Sequence, residues 1–227
     1  MRISIIVPFL DEERALPGTL DRLAAEAAGY SDAEIIAVDG GSRDASRAVL
    51  ARYPGVQLTD ARRGRASQMN AGALIATGDV LLFVHADTLL PPGALTAVAA
   101  AASQPGFVYG GFRHAFDGND WPLRFVSALH NYRCARARTF YGDQALFVAR
   151  AAFDTAGGFP DVQAEDIALS QTLRNMASPA FIPLAVTTSA RKFVQAGIWR
   201  SFARVLAILI SLRLGRKPPQ AFFADIR

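Results

Sequence analysis

The 227-residue chain is poor in cysteine and has no long uninterrupted apolar run, and each shortage excludes a class of protein. The single cysteine, Cys134, rules out an internal disulfide framework and a cysteine-cluster zinc site. No stretch reaches the ~20 apolar residues of a membrane-spanning helix, because Arg213 interrupts the best candidate, residues 205–214. The first apolar run contains Pro8 and ends in acidic residues, unlike a secretory signal. We therefore expect a cytoplasmic protein.

Charge is scarce, at 19% of the residues, and it is unevenly distributed. Residues 191–227 contain eight basic residues and one acidic residue, whereas acidic residues outnumber basic ones in the rest of the chain. A basic tail on an acidic body predicts an anionic partner for the tail. We do not expect a nucleic acid, because the tail's aromatic residues lie among aliphatic ones and no nucleic-acid-binding signature is present.

The first half of the sequence alternates strand and helix patterns. Apolar or β-branched runs, typical of strands, occupy residues 2–7, 34–38, 56–59 and 79–84. Helical spacing occupies residues 16–28, 44–53 and 64–76. Farther on, residues 107–112 and 144–148 favour strands, and residues 121–138 and 165–176 favour helices. The pattern predicts a single α/β domain with a mostly parallel, Rossmann-like sheet that is covered by helices on both faces.

Acidic side chains follow three of the predicted strands. Asp11 and Glu12 follow the first strand, Asp39 follows the second, and Asp87 follows the strand at 79–84. Each alone is explained as a residue at a helix N-terminus. Because ligands of open α/β sheets bind beyond the carboxyl ends of the strands, the three together favour a site for a cation or a polyhydroxyl ligand.

The two commonest phosphate-binding loops are absent. The first strand leads into PFLDEE instead of the glycine-rich G-x-G-x-x-G of nicotinamide-binding folds, and no G-x-x-x-x-G-K-[ST] loop occurs. A bound diphosphate would therefore be neutralised by a metal on Asp87 and by arginine side chains.

Five motifs in a fixed order resemble the family 2 glycosyltransferases of the GT-A fold. They are VPFLDEE, VDGGSRD, GRASQMNAGA, GDVLLFVHADT and AGGFPDVQAEDIALSQTLR, within about residues 2–176. The HADT variant is most similar to a small bacterial subgroup. The resemblance implies a GT-A domain over residues 1–190, with a nucleotide half at about 1–90, an acceptor half at about 91–190, and a basic amphipathic helical extension at 191–227.

The resemblance implies roles in binding a nucleotide-sugar donor. Asp39 would pair with the imide N–H of uracil, which predicts a UDP-sugar. Arg65 and Asn70 would lie near the ribose and diphosphate, and Asp87 would hold a divalent Mn²⁺ or Mg²⁺. The remaining expected donor-binding residues are Pro8, Glu12, His85, Ala86 and Arg191.

The sequence departs from the family pattern at two positions. Gly40 stands where a second aspartate is usual, and His85 stands at the first position of the usual D-x-D motif. His85 could ligate the metal, which would favour Mn²⁺, or bond a ribose hydroxyl. It could also be satisfied by neighbouring backbone.

The resemblance also implies that Asp166 is the base that deprotonates the acceptor hydroxyl, with Glu165 as the next candidate. One base and in-line attack predict inversion at the anomeric carbon. The alternative for Asp166 is a residue stabilised at the start of a helix by the helix dipole. Arg191 could close over the diphosphate or belong to a solvated turn, and His130 and Cys134 are expected to lie on a packed helix face.

Residues 198–214 predict a C-terminal helix with a narrow polar stripe. The wide apolar arc and the basic residues after it fit three arrangements. The helix could pack on the sheet, rest on the anionic inner face of the cell membrane, or form a homodimer contact. Membrane contact would suit a lipid-linked or hydrophobic acceptor. Two other functions stay open: a nucleotidyltransferase on a similar sheet, and a catalytically silent nucleotide-sugar binder.

Overall fold

The computed structural model describes residues 1–213 of the chain. Its strands are β1 (Ile3–Phe9), β2 (Ala33–Asp39), β3 (Val56–Asp60), β4 (Val80–Phe83), β5 (Thr88–Leu89), β6 (Tyr109–Phe116), β7 (Phe147–Ala149) and β8 (Ala180–Thr188). Its α-helices are α1 (Leu16–Ala28), α2 (Ser46–Leu50), α3 (Arg65–Ile75), α4 (Ala94–Ala102), α5 (Trp121–Ala137), α6 (Arg150–Ala156), α7 (Glu165–Leu173), α8 (Arg191–Gln195) and α9 (Ile198–Arg213). A short 3-10 helix, Gly142–Gln144, precedes β7.

The strands form one mixed sheet in the order β3-β2-β1-β4-β7-β6-β8-β5. The first four of these are parallel, because the crossovers through α1, α2 and α3 return the chain to the same edge each time. Strand β7 runs antiparallel to β4 and β6, while β6 and β8 are parallel to each other. The predicted α/β class and mostly parallel sheet are confirmed.

The central strands β1, β2 and β4 are buried on both faces. Along β1, Ile3 and Ile5 join the core cluster that contains Leu20 of α1, whereas Ile6 joins the cluster that contains Met69 of α3. Because successive side chains of a strand point to opposite faces, a strand covered on both sides must be apolar throughout. The largely apolar runs of the sequence are explained by this double covering, and two buried polar exceptions, Ser4 of β1 and Glu34 of β2, hydrogen-bond each other.

Several elements differ from their predicted bounds. Helix α2 covers only five residues and begins at Ser46 instead of residue 44. The Asp44 side chain lies before the helix, where it accepts hydrogen bonds from the N–H groups of Ser46 and of Glu13 in the loop after β1. Gln144 belongs to the 3-10 helix and not to a strand, and its side chain donates to the Phe112 carbonyl.

Strand β8 escaped prediction because Pro183 interrupts its pattern. The pairing of β6 with β8 shifts register between Phe112 and Arg113, where Ile182 and Ala185 are the successive partners on β8. The shift leaves Pro183 and Leu184 outside the regular pairing, and such irregularities are where a sheet accepts proline.

The predicted C-terminal helix is present as α9, which packs against α5 and α8. It buries Ser201 and Ile208. Arg216 and Lys217, which the sequence placed at the end of this basic segment, lie outside the described residues. Among residues 1–213, no helix is both long enough and apolar enough to cross a membrane.

Candidate functional site

The loops that follow β1, β2 and β4 converge at one edge of the sheet. Strand β1 lies between the other two and pairs with both in parallel, so the three carboxyl ends lie side by side. The predicted acidic residues lie in these loops, but their carboxylates do not all face the same space.

A cavity of about 600 Å³, here called the loop cavity, opens between the β1 and β4 loops and the start of α3. Seven of the predicted site residues line it, namely Pro8, Glu12, Arg65, His85, Ala86, Asp87 and Arg191. Arg63 and Gln68 also line it and were not predicted. Three arginines, Arg63, Arg65 and Arg191, therefore face the same space as Asp87.

A second cavity of about 240 Å³, here called the helix cavity, lies beneath α5, α8 and α9. Its charged or ionisable lining includes Arg133, Asp143 and Asp166, and its apolar lining includes Phe116, Phe193, Phe202, Val205 and Ile208. Arg65, His85 and Asp87 line both cavities, so the two spaces meet at these three side chains.

Asp166 is buried in the first turn of α7 and lines the helix cavity. Its Oδ2 accepts a hydrogen bond from the Gly142 N–H at 2.6 Å, and its Oδ1 accepts one from the Ile167 N–H at 2.8 Å. Each oxygen keeps further acceptor capacity, because a carboxylate offers about four lone-pair sites. Two backbone donors thus orient this carboxylate beside the cavity.

Glu165 is engaged elsewhere, although it precedes Asp166 in the chain. Its buried Oε1 lies 2.9 Å from Nε of Arg65. Glu165 is not among the lining residues of either cavity, whereas Arg65 lines both. Of the two predicted carboxylates, only Asp166 faces the helix cavity, and Glu165 instead holds Arg65.

His85 lies against the backbone of the 3-10 helix. A Cβ added at Gly142 would stand 2.3 Å from Nε2 of His85, so only glycine permits this approach. Burial and then the nearby Arg65 cation lower the pKa of His85, which keeps the imidazole neutral. Gly142 therefore contacts both His85 and, through its N–H, Asp166.

Sequence reasoning missed a histidine–aspartate cluster in the helix cavity, of which His114 is buried and Asp143 is partly exposed. The Asp143 carboxylate lies 3.5 Å from Nε2 of His130 and 3.7 Å from Nε2 of His114. Burial opposes ionisation of His130, but the Asp143 carboxylate outweighs burial and raises the pKa of His130. Burial lowers the pKa of His114 to about 4, so this ring is neutral at pH 7, and it bonds Thr188. Cys134 is buried as expected for a packed helix face, but His130, four residues earlier on α5, lines the helix cavity instead.

Asp39 does not line either cavity, although it ends β2 at the expected edge. Its buried Oδ1 accepts bonds from the Gly41 N–H and from the N–H and hydroxyl of Ser42, and its Oδ2 lies 2.7 Å from Nη1 of Arg47. Burial raises the pKa of Asp39, but these hydrogen bonds outweigh it and hold the pKa below its usual value. Its carboxylate is therefore already paired within the β2 loop.

The departure at Gly40 has a steric cause. A Cβ added at this position would meet the side-chain carbon Cδ of Gln68 at 2.9 Å. The Gln68 amide is buried and donates to the carbonyls of Phe9 and Val38, which ties α3 to the ends of β1 and β2. An aspartate at residue 40 would push the Gln68 side chain out of these two hydrogen bonds.

Asn70 also lies outside both cavities. Its side-chain amide donates to the Phe159 carbonyl at 2.8 Å and its Oδ1 accepts from the Phe159 N–H at 2.9 Å. This pair of hydrogen bonds joins α3 to the glycine-containing turn after α6. The Asn70 side chain thus connects two elements of the fold and does not face either cavity.

The residues near Asp87 fit a divalent ion that is shared with a bound diphosphate. No group of three or more His, Cys, Asp or Glu side chains within residues 1–213 forms a metal cage. Asp87 offers a carboxylate and His85 a neutral imidazole beside the loop cavity. Mg²⁺ and related ions are commonly held by one or two protein ligands together with substrate phosphates, which is the arrangement these residues permit.

A mixed α/β sheet with two joined cavities at its carboxyl edge defines a class of ligand-binding α/β folds. Within that class, the chain belongs to glycosyl transferase family 2, whose family model matches residues 4–153. Asp166, α8 and α9 lie beyond the matched residues. The family assignment confirms the resemblance drawn from the motifs.

Two curated relatives illustrate the sequence similarity. A glycosyltransferase of Mycobacterium tuberculosis is 31% identical over 120 residues, covering 53% of this chain and 52% of the relative. The undecaprenyl-phosphate 4-deoxy-4-formamido-L-arabinose transferase of Sodalis glossinidius is 27% identical over 212 residues, covering 88% of this chain and 60% of the relative. The chain thus spans between half and two thirds of the length of these relatives.

Solved structures share the fold. A mannosyltransferase of Pyrobaculum calidifontis, in complex with GDP-Man and Mn²⁺, superposes with a TM-score of 0.70 at 22% identity and covers 99% of this chain and 67% of that chain. TarS of S. aureus in complex with UDP-GlcNAc gives a TM-score of 0.67 at 18% identity, covering 83% of this chain and 58% of that chain. At these identities the likeness establishes the GT-A fold.

Proposed function

We propose that this protein transfers a sugar from a nucleoside-diphosphate donor in the loop cavity to an acceptor hydroxyl in the helix cavity. The observation that carries the proposal is the meeting of the two cavities at Arg65, His85 and Asp87, while Asp166, held by the Gly142 N–H, lines the helix cavity alone. A reacting carbon at this junction would be reached from both spaces. We also assign the chain to the bacterial subgroup with the HADT variant.

The donor side of the proposal rests on charge. The two phosphates of the donor would be bound by Arg63, Arg65 and Arg191, which line the loop cavity. Arg191 begins α8 and is exposed, so it can approach the diphosphate after the donor binds. A divalent ion, Mn²⁺ or Mg²⁺, held by Asp87 and the diphosphate, would supply Lewis-acid stabilisation of the leaving group when bound.

The acceptor side of the proposal rests on Asp166. A carboxylate held by the N–H groups of Gly142 and Ile167 cannot rotate freely, so its remaining lone pairs keep one direction. Such a base removes the hydroxyl proton as the oxygen attacks. Attack from the helix cavity on a carbon whose leaving group lies in the loop cavity would invert the anomeric centre.

Product analysis tests the reaction and the donor together. In the presence of Mn²⁺, a panel of nucleotide sugars should release nucleoside diphosphate slowly, with water as acceptor. UDP should compete for the donor site better than GDP or CDP. In this reaction Asp39 would exchange its bond with Arg47 for one with the imide N–H of uracil. The measurement is chromatographic quantification of the products alongside thermal-shift competition, since ligand binding raises the apparent melting temperature.

Each alternative gives a different result in that experiment. Release of pyrophosphate would identify a nucleotidyltransferase, and donor binding without hydrolysis would identify a silent binder. A clear preference for GDP would contradict the role of Asp39 and leave its bonds to Ser42 and Arg47 as its whole function.

We also propose that α9 contacts the anionic cytoplasmic face of the cell membrane. Trp199 and Ile210 of α9 are 50% and 59% exposed, and Trp121 of α5 contacts Trp199 at a ring distance of 5.7 Å. Aromatic side chains beside the exposed Arg200 are typical of a surface that rests in the headgroup region. A homodimer through the same face is the competing arrangement.

Liposome cosedimentation at low and physiological salt tests the membrane contact. Binding should rise with the fraction of anionic lipid and fall with salt, because each basic residue near such a surface contributes ~1 kcal/mol. The double variant Trp121→Ser/Trp199→Ser should lose most of the binding. Leu74→Ser, which alters an 86% exposed residue on α3, is the control. The proposal would be contradicted if the double tryptophan variant and Leu74→Ser bound liposomes equally well. A protein that forms a concentration-dependent dimer but does not bind lipid would also contradict it.

A further inference from the structure

We propose that His85 is a positioning residue whose imidazole supports the backbone segment that orients Asp166, and that glycine at residue 142 is what permits this support. The inference rests on the proposed transfer reaction and deepens it, because it gives His85 a part in placing the base. It also gives a physical reason for the histidine at the first position of the HADT motif. Contacts on three sides of the segment support it.

The segment comprises residues 140–144, contains the 3-10 helix and is here called the bridge segment. Helix α7 holds it at two points. The Gly142 N–H donates to Oδ2 of Asp166 at 2.6 Å. The Ser170 hydroxyl accepts from the Phe140 N–H and donates to the Phe140 carbonyl, both at 3.1 Å. Ser170 follows Asp166 by four residues, so both lie on one face of α7, and the bridge segment is fastened to the helix that carries the base.

Gln144 fixes the shape of the bridge segment and fastens it to β6. The Gln144 side-chain oxygen accepts from the Tyr141 N–H at 3.2 Å, and its amide donates to the Phe112 carbonyl at 3.1 Å. The side chain is fully buried, so breaking either bond would leave a buried polar group without a partner. The bridge segment is therefore held on two sides, by α7 and by β6.

The third side of the bridge segment rests on His85. A Cβ built on Gly142 would lie 2.3 Å from both Nε2 and Cε1 of His85. Ordinary contact between carbon atoms needs about 3.5–4.0 Å, so the imidazole occupies the place that a side chain at residue 142 would take. Histidine at residue 85 and glycine at residue 142 are thus matched in volume.

His85 stands between the donor side and the acceptor side of the site. It lines both cavities. Burial and the nearby Arg65 cation lower its pKa, although Asp87 and Asp166 act in the opposite direction. A neutral ring adds no charge beside the base, so its contribution to the bridge segment is one of shape. If the imidazole moved, the Gly142 N–H and the lone pairs of Asp166 would move with it.

Ligation of a divalent ion beside Asp87 is the competing role for His85. The two roles make different demands on the chain. A metal ligand is needed for metal-dependent donor binding, whereas a support must match residue 142 in volume. A methyl group added at residue 142 has room only when the imidazole is removed, so the volume match can be tested directly.

A double-mutant cycle on the full-length protein tests this match through kcat for nucleoside-diphosphate release at saturating donor. Gly142→Ala should lower kcat about 10²-fold, the effect of misplacing a catalytic group by ~1 Å, because its methyl group displaces His85 or the bridge segment. His85→Ala leaves a void beneath Gly142 and should lower kcat about tenfold for the same reason. In the double variant the methyl group enters that void, so adding Gly142→Ala to His85→Ala should cost less than about twofold.

Three further measurements separate positioning from metal ligation and from folding. In His85→Ala, the donor Kd and its dependence on Mn²⁺, measured by calorimetry, should stay within about threefold of wild type while kcat falls. The melting temperature of each unliganded variant reports on the fold. Gly18→Ala is the matched control, because a Cβ on Gly18 of α1 meets no atom within 4 Å. It should leave kcat unchanged with either residue at position 85.

Equal losses from Gly142→Ala in the two backgrounds, or near-normal kcat in Gly142→Ala alone, would overturn the inference. Loss of Mn²⁺-dependent donor binding in His85→Ala would also overturn it and make His85 a metal ligand. If Gly142→Ala alone does not fold, the double variant should still fold and match His85→Ala in kcat, and its failure to do either would be decisive against the volume match. A wild-type protein that hydrolyses no nucleotide sugar would instead refute the proposed transfer reaction, so the two failures are distinguishable.

Discussion

Replacing Asp166 by asparagine is expected to lower the transfer rate roughly 10²–10⁴-fold, the usual contribution of a general base. The affinity for the donor should stay near wild type, because Asp166 lines the helix cavity and not the loop cavity. Asparagine has one carbonyl oxygen, so it can satisfy only one of the N–H groups of Gly142 and Ile167, at a stability cost of about 1 kcal/mol. The measurements are kcat at saturating acceptor and donor Kd.

The neighbouring Glu165→Gln variant separates the two carboxylates. Glu165 lies against Arg65, so this change should weaken donor binding through Arg65 more than it lowers kcat. If Asp166→Asn retains near-normal turnover while Glu165→Gln loses it, the base is Glu165 and the orientation of Asp166 is only structural.

Replacing Asp87 by asparagine is expected to abolish turnover and the Mn²⁺-dependent part of donor binding. Asp87 follows β4 and is the carboxylate of the HADT motif at the junction of the two cavities. Loss of a metal-linked charge that contributes several kcal/mol to leaving-group stabilisation corresponds to a fall in rate of more than about 10³-fold. Donor binding is measured by calorimetry with Mn²⁺ and with EDTA, together with the melting temperature of the unliganded protein.

Asp161→Asn is the matched control, because Asp161 is exposed, lines neither cavity and lies 3.5 Å from the exposed Arg62. It should leave turnover and the metal dependence of binding unchanged. Mn²⁺-dependent donor binding that survives in Asp87→Asn would remove the metal assignment, and an altered melting temperature would show that the residue supports the fold.

The element types of the first half were predictable because local pattern and tertiary environment agree there. Strands such as β1 and β2 are covered on both faces, so burial appears in the sequence as largely apolar runs. The second half was harder. Strand β8 contains Pro183 and a register shift, and its pairing with β6 depends on residues some 70 positions away.

The motifs identified the family but did not distinguish residues that line a cavity from residues that connect elements of the fold. Arg65 and Asn70 are five residues apart on α3, yet Arg65 lines both cavities while Asn70 bonds the Phe159 backbone. Which face of a helix meets a ligand depends on what packs against its other faces, and that information lies in distant segments of the chain.

By itself, the amino-acid sequence determined the α/β class and the family, and it predicted the strand ends at which the loop cavity opens, because these follow from periodicity and from short motifs. Only the tertiary structure decided that Asp166, and not Glu165, faces the helix cavity, that Asp39 is already paired with Ser42 and Arg47, and that Asp143 joins His130. The physical reason is that a side chain's charge and direction are set by partners brought together through folding. Those partners leave no signature in the local sequence around it.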